Sequence, residues 1–567
     1  MVASAAEALG VELAAIAPEL PGDAKIPDQV DVDWASVDPH ALGELHLARS
    51  PGPARRERRD RGAFYTPPAV ARFMAAQTLP LAQRRAGPLP RCLDPACGCG
   101  SLLIEALAFL CAAGVSPAEV VTHLAGYDRH LPSVLLARVA LLLAVRRLGA
   151  SAAQLRRCTE TIARNVRVRD VLLHVPRDRV DCVLMNPPYV RAARGGRDRE
   201  SIRRAFVTAR GAFDLHVPFV ELALQSLQPG GAFGLLTSGK LLIADYAAQL
   251  RRTLADRVTL RRIVDLEACR DAAPGALVSQ VVVVGEASPA PPGHRVLVSC
   301  PTAVAQALDD VAEKRSQAEL LRARWPAVHA FASEERIIRK MTGAATRPLG
   351  SCALVRGGVR GFDYGRCCAL LAEARGRPDV MRVLTPGNLR AYTAPADRPV
   401  RLAGRAWREP CLPTRPSVVS AALWELFGQP KVVVKGVGPR PTAAWCPDPA
   451  ALFVAVWGLW GEADLLWAML ALLNSRPAAW LHYRQLATAR IPHGSLRIPL
   501  AWLAAFPVPR RGLEEAAELA RRRVVAPTAR DQDELQEQLD RAAACAYDLT
   551  EADLCLMADA PIRPVQV

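Results

Sequence analysis

Residues 92–100 read Cys-Leu-Asp-Pro-Ala-Cys-Gly-Cys-Gly, and the apolar run Ser-Leu-Leu-Ile-Glu-Ala-Leu-Ala-Phe-Leu continues at 101–110. A short apolar strand stops at Asp94, a glycine-bearing turn follows, and a helix opens directly after it. At such a junction the missing side chains let the backbone approach a ligand, and the first N–H groups of the helix are unpaired and face it. The turn does not name that ligand. Gly98 and Gly100 supply only part of a dinucleotide GxGxxG pattern, and no GK[ST] marks a nucleotide phosphate loop.

Outward from this turn, apolar runs recur at HLAGYD (123–128), DCVLMN (181–186), GAFGLLT (231–237), LRRIVDL (260–266) and SQVVVVG (279–285), with helical patterns between them. Strands alternating with helices predict an α/β domain with a largely parallel sheet. The strand after the glycine turn ends at Asp128, where a carboxylate can accept from both hydroxyls of a ribose. A third acidic strand end, Asp170, is placed to accept from an adenine amino group. With Asp94 and the glycines in register, the three carboxylates point to an adenosine-containing cofactor.

The run beginning at Asp181 stops at Asn186-Pro187-Pro188-Tyr189. The prolines end the ladder and stiffen the turn, so the Asn186 amide oxygen and a freed backbone carbonyl can converge on one small group. Two acceptors suit an exocyclic NH2: they orient its lone pair toward an electrophile and stabilise the charge that develops as a methyl is transferred. Tyr189 offers a stacking face.

Composition bounds what surrounds this site. The 567 residues allow three or four domains, and 51% hydrophobic with 23% charged residues fits a globular protein rather than a disordered or fibrous one. The longest apolar run, 134–145, is broken by Arg138 and falls short of the ~20 residues of a membrane span. The N-terminus carries Glu7 and Glu12 and no basic start, unlike a secretory signal, so a cytoplasmic protein is expected. None of the 15 cysteines makes a metal-ligand spacing, and no metal site is predicted. The net charge of +16 implies a polyanionic partner, though lysine is rare and the arginine excess also fits a GC-rich coding bias.

Taken together, DPACGCG, NPPY and GAFYTPPAVARFM (62–74), followed by FDLHVPFVELALQSLQPGGAFGLLTSGKLL (213–242), resemble in order the motifs of the Taq-type adenine-N6 DNA methyltransferases. The resemblance implies a Rossmann-like S-adenosylmethionine-dependent methyltransferase domain with a mixed, mostly parallel sheet, a C-terminal α+β target-recognition domain and a helical tail. It also implies that Tyr65, Thr66, Asp94, Ala96, Gly98, Asp128 and Asp170 line S-adenosylmethionine, and that Asn186, Pro187, Pro188 and Tyr189 hold the target base. RPLGSCALVRGGVRGFDYG (347–365), VLTPGNLR (383–390), QPKVVVKGVGPRPTAAWCPD (429–448) and LALLNSRPAAWLHYRQL (470–486) resemble pieces of the recognition domain. The expected organisation is an N-terminal extension (1–50), the methyltransferase domain (51–290), a helical connector (291–340), the recognition domain (341–510) and a helical region (511–567).

The function so implied is methylation of an adenine N6 in duplex DNA, after the base is flipped out of the stack because that nitrogen is engaged in pairing. A restriction-modification or phage-defence system is the expected setting, with a separately encoded nuclease or defence protein as a further partner. The residues ahead of GAFYTPP show no carboxylate cluster with a following ExK. Arg194, Arg197 and Arg203, in the basic segment 190–211, are expected to meet DNA phosphates and to lie in a loop that orders on binding; Lys435 is a further DNA contact in the recognition domain. One departure stands out: where the family carries an aromatic that stacks the far face of the base, this chain reads Arg270-Asp-Ala-Ala-Pro-Gly275, and Ala273 cannot stack. Phe213 is the candidate substitute. Cytosine N4 as acceptor, a glutamine- or RNA-modifying NPPY enzyme, and a catalytically weak DNA-binding subunit remain as alternatives.

Overall fold

The structure is a computed structural model. It describes residues 2–19, 34, 37–43, 66–192, 199–266, 269, 280–301, 303–304, 312–322, 332–359, 362–374, 380–395, 399–413, 415–417, 419–486 and 496–559. The chain divides into two compact units, Met1–His329 and Ala330–Val567.

In the first unit, the described residues build one sheet from β1 (Cys92–Asp94), β2 (Leu124–Asp128), β3 (Val166–Val168), β4 (Val180–Met185), β5 (Leu227–Ser238), β6 (Thr259–Asp265), β7 (Gln280–Glu286), β8 (Arg295–Ser299) and β9 (Glu313–Ser316). Their order is 3-2-1-4-5-7-6-8-9. Strands β3, β2, β1, β4 and β5 run parallel, and β7 lies antiparallel between β5 and β6. The chain moves outward from β1 in both directions, which opens a crevice beyond the carboxyl ends of β1 and β4.

The six apolar runs are β1, β2, β4, β5, β6 and β7. β3 answers to the acidic strand end expected at Asp170, though it stops at Val168; β8 and β9 were not expected. β3 is three residues long with two of them exposed, so it lacks a burial pattern. β8 and β9 fall inside 291–340, where a helical connector was expected; there the helix Gln317–Arg322 follows them. β9 reads Glu-Lys-Arg-Ser at the edge of the sheet, where a charged strand blunts unwanted pairing.

Helices α1 (Val2–Leu9), α2 (Leu13–Ile16), α3 (Pro68–Ala86), α4 (Ser101–Ala112), α5 (Leu131–Arg147) and α6 (Ala152–Asn165) share one core with Leu184, Leu236 and Val282 of the sheet. Helices α7 (Arg199–Ala205), α8 (His216–Ser226) and α9 (Ala248–Arg257) share the other with Val183, Leu235 and Val283. Successive residues of β4, β5 and β7 thus face opposite cores, which is why these strands read as unbroken apolar runs. The N-terminal helices are fastened by Arg138 of α5, only 1% exposed. Its guanidinium donates to Ile16 O at 2.8 Å, Val166 O at 2.9 Å and Ala163 O at 3.1 Å, and forms a bidentate pair with Glu19 at 2.6 and 2.7 Å. That pairing holds the Glu19 carboxyl below its ordinary range.

In the second unit, β10 (Leu354–Gly357), β11 (Ala372–Glu373), β12 (Met381–Leu384), β13 (Pro410–Leu412), β14 (Lys431–Lys435), β15 (Ala443–Cys446), β16 (Ala450–Leu452) and β17 (Val456–Trp460) form two four-stranded sheets, ordered 10-17-14-15 and 11-13-12-16. Helices α10 (Ala463–Asn474), α11 (Arg476–Leu486), α12 (Glu514–Val525), α13 (Ala529–Ala546) and α14 (Glu551–Asp559) complete an α+β arrangement with a helical C-terminal stretch. Lys431 is fully buried, yet its ammonium is satisfied by three carbonyls, Phe427 O and Gln429 O at 2.8 Å and Asp448 O at 3.3 Å. Among the described residues no helix is long and apolar enough to cross a membrane.

Candidate active site

The residues singled out from the sequence gather at the carboxyl ends of four neighbouring strands. Asp94 closes β1, Asp128 closes β2, Asp170 lies two residues beyond β3, and Asn186 follows the last residue of β4. This is the crevice that the strand order creates.

The glycine turn is held from beneath. The Asp94 carboxylate accepts from Ala96 N at 3.0 Å, Cys97 N donates to Tyr127 O at 2.9 Å, and Gly98 N donates to Asp128 Oδ2 at 3.3 Å. Asp128 also accepts from His130 N at 2.8 Å. Gly98 and Gly100 have φ of +52° and +87°, in the left-handed region that favours glycine. A Cβ on Gly100 would press to 3.2 Å on Ala137, whereas one on Gly98 would meet nothing within 4 Å. The turn is therefore closed toward α5 and open at Gly98. Ala96, Gly98, Asp128 and Asp170 keep partial exposure, while Asp94 is buried.

Burial pushes the Asp94 carboxyl up to about 8; the Ala96 N–H opposes this and the nearby Asp128 charge adds to it. Asp170 caps its own turn by accepting from Leu172 N at 3.2 Å and lies 4.0 Å from the Arg129 guanidinium. The crevice is thus lined with acceptors, has one face cleared of side chains, and fits a ligand that carries hydroxyls, an amino group and positive charge.

Asn186 is fixed from two directions. Its Nδ2 donates to Thr66 Oγ1 at 3.0 Å, and the Tyr189 hydroxyl lies 2.5 Å from Asn186 Oδ1 and 2.9 Å from Leu236 O. Tyr189 is 8% exposed, and burial pushes its phenol well above its ordinary range. The ring expected to offer a stacking face therefore lies largely covered.

Phe213 is 1% exposed and packs in the core beneath β4 and α8, so the substitute aromatic expected there has no open face. Arg203 is exposed and donates to Gly211 O at 2.8 Å, within a segment expected as a loop. Part of that segment is helix α7, anchored by Ile202 at 0% exposure within it and Phe206 at 1% just beyond its end. Lys435 ends β14 in the second unit. Tyr65, Arg194, Arg197 and Ala273 lie outside the described residues.

Beside Tyr189 stands a cluster that the sequence reading did not single out. Asp214 Oδ2 accepts from the Tyr246 hydroxyl at 2.7 Å and lies 3.6 Å from Lys240 Nζ. His216 meets the rings of Tyr189 and Tyr246 edge-on at 6.5 and 6.2 Å between centroids. Burial lowers its pKa to about 4, with Asp214 opposing and Lys240 reinforcing the shift. A histidine one residue beyond an Asp-Leu pair carries no spacing signal of its own; only the packing of α8 against the turn reveals it.

Comparison with known proteins bears on the first unit above all. Residues 52–268 match the N-6 DNA Methylase family. The type II methyltransferase M.BanIII of Aneurinibacillus aneurinilyticus is 34% identical over 87 residues, 15% of this chain and 15% of that protein. M.XhoI of Xanthomonas vasicola, also a type II methyltransferase, is 27% identical over 224 residues, 36% of this chain and 39% of that protein. The matched stretches thus span well under half of either relative. Among solved structures, the Type IIL restriction-modification enzyme MmeI in complex with DNA superposes with a TM-score of 0.55 at 11% identity, over 93% of this chain and 82% of that one, a likeness of fold. Residues 52–268, which carry both the glycine turn and the Asn-Pro-Pro-Tyr turn, are thus similar to the N-6 DNA Methylase family, over less than half of the chain.

Proposed function

We propose that the chain transfers a methyl group from S-adenosylmethionine to the N6 amino group of an adenine flipped out of duplex DNA, in a restriction-modification or phage-defence setting. The observation that carries this reading is the placement of Asn186 on the strand next to the one that ends in Asp94 and the open glycine turn. An acceptor for an amino group and a crevice suited to an adenosine-bearing cation thereby share one sheet edge. The type II methyltransferases matched above support the DNA substrate, and the +16 net charge suits it.

S-adenosylmethionine supplies an electrophilic methyl on a sulfonium. Asp128 would accept from its ribose hydroxyls, Asp170 from its adenine amino group, and Ala96 and Gly98 would leave room for its backbone-close atoms; Thr66 and the Asp94 carboxyl would complete the wall, with Tyr65 expected nearby. Asn186 Oδ1 and the carbonyl of the proline turn accept from the target amino group, so its lone pair is directed along the line of attack. These bonds strengthen as the nitrogen becomes cationic, which places their effect in the transition state. The proton released leaves after methyl transfer to solvent or a nearby acceptor. Lys435 and the arginines at 194, 197 and 203 would meet the DNA backbone.

The test is methyl transfer by the purified chain to duplex DNA, after methylome sequencing of an expressing host has located the site. Asn186→Ala is expected to abolish transfer while cofactor and DNA still bind. Label on cytosine N4 would correct the acceptor. Label on protein or RNA, with none on duplex DNA, would overturn the reading.

A further inference from the structure

His216 is the first residue of α8 and is completely buried. Neither Nδ1 nor Nε2 has a hydrogen-bond partner. A neutral imidazole offers one donor and one acceptor, and leaving both dry costs desolvation energy without return, so such a group calls for an explanation. Asp214, two residues earlier, does not supply it: that carboxylate is engaged by the Tyr246 hydroxyl and faces the Lys240 ammonium. Edge-on packing against Tyr189 places His216 beside the turn that holds Asn186.

Tyr189 poses the complementary problem. Its hydroxyl carries one proton, and it lies against the Asn186 oxygen that the proposed reaction needs as acceptor for the target amino group. Its ring is too covered to receive a base. Base entry therefore requires the phenol to turn away from both Asn186 Oδ1 and Leu236 O, and the buried hydroxyl then needs a new acceptor. The imidazole alongside has an unused one and is held neutral, so a ring nitrogen is available to accept.

Resting on the methyltransferase reading above, we infer that His216 is a positioning residue for Tyr189. When the target base enters, the Tyr189 hydroxyl leaves Asn186 and donates to His216. Asn186 Oδ1 is thereby released to the amino group, and the phenol face turns to the base. The orphaned imidazole is the vacant position for that hydroxyl, and Asn186 Oδ1 with Leu236 O is the occupied one.

The experiment is a double-mutant cycle on the full chain with its located DNA site. His216→Phe keeps an aromatic of similar size and removes the acceptor. It is expected to lower kcat at least tenfold at saturating DNA and cofactor, with both dissociation constants within twofold of the parent. Its thermal midpoint should equal or exceed the parent's, because two unmet nitrogens are gone. His216→Gln, which restores an acceptor, should recover most of the lost kcat. In a Tyr189→Phe background, His216→Phe should cost nothing further, because no hydroxyl remains to be received.

Parent-like kcat in His216→Phe overturns the inference, as does an equal further loss in the Tyr189→Phe background or a loss that glutamine does not recover. Should the phenylalanine variant not fold, His216→Leu is read in the same cycle with the same outcomes. A parent that methylates no duplex DNA would overturn the methyltransferase reading itself, a result distinct from any of these.

Discussion

Asn186 and Thr66, 120 positions apart in the chain, are joined by a hydrogen bond of 3.0 Å from the amide Nδ2 to the threonine Oγ1. Thr66 was expected to line the cofactor. Its hydroxyl also accepts from the amide that follows β4, which links the segment ahead of α3 to Asn186.

Thr66→Val keeps the shape and removes that acceptor from the part-buried Asn186 amide. We expect kcat to fall about tenfold, in proportion to the ~1.4 kcal/mol lost when the amide is free to turn. The cofactor dissociation constant should change less than threefold. Single-turnover kinetics beside calorimetry separates the two; an effect confined to cofactor affinity would make Thr66 a cofactor contact and nothing more.

Asp128 serves the turn and, on the proposed reading, the ribose. Asp128→Ala should weaken S-adenosylmethionine binding tenfold or more, about 1.4 kcal/mol or above, with the fold retained. Asp128→Asn keeps one acceptor for the Gly98 and His130 N–H groups and should lose less. Titration calorimetry with circular dichroism as the folding control checks both, and unchanged affinity in the alanine variant would remove Asp128 from the site.

Asp94 should make stability depend on pH. Its folded pKa, about 8, stands above the ordinary carboxylate value of 3.8, so the stability it contributes is fully present below about 3.8 and is lost as pH rises toward 8. Across that window the unfolded carboxyl ionises while the folded one stays protonated. Asp94→Asn should therefore gain on the parent as pH rises from about 4 to about 8, and the gap should level off above that. Denaturant unfolding of both proteins across this range reads the trend directly; a gap independent of pH would show that Asp94 is already ionised when folded. Because His216 and His482 are buried with pKa values near 4, both proteins should also lose stability below about 6.5.

Replacing Arg194, Arg197 and Arg203 together with Ala should weaken binding to all duplexes alike and flatten the salt dependence by up to roughly three units of log-log slope. Sequence preference should survive. Fluorescence anisotropy at several salt concentrations is the measurement, and an unchanged slope would assign these arginines to solvated surface.

The strands that carry the crevice were legible because each is a buried apolar run ending in a residue with distinctive turn chemistry, such as Asp94 or Asn186. β9 was not, because a charged edge strand needs little apolar content, and β3 was marked only by the acidic residue beyond its end. The same locality limited the site. Motif spacing brought Asp94, Asp128 and Asn186 to one sheet edge, but the facts that Thr66 reaches Asn186 and that Tyr189 turns inward against Leu236 O arise from tertiary packing. Nothing in the sequence marked Phe213 as covered, and it lies buried in the core that α8 shares.

Arg138 has a consequence for the order in which the protein assembles as it is made. Its guanidinium joins Ile16 O, 122 positions earlier, to Val166 O, 28 positions later. The α1–α2 segment, made before α5 and β3, therefore lacks these partners until both have been synthesised. Early synthesis does not mean early docking: α1 and α2 close over the domain from behind, and Glu19 arrives to neutralise an arginine that the growing core has already begun to enclose.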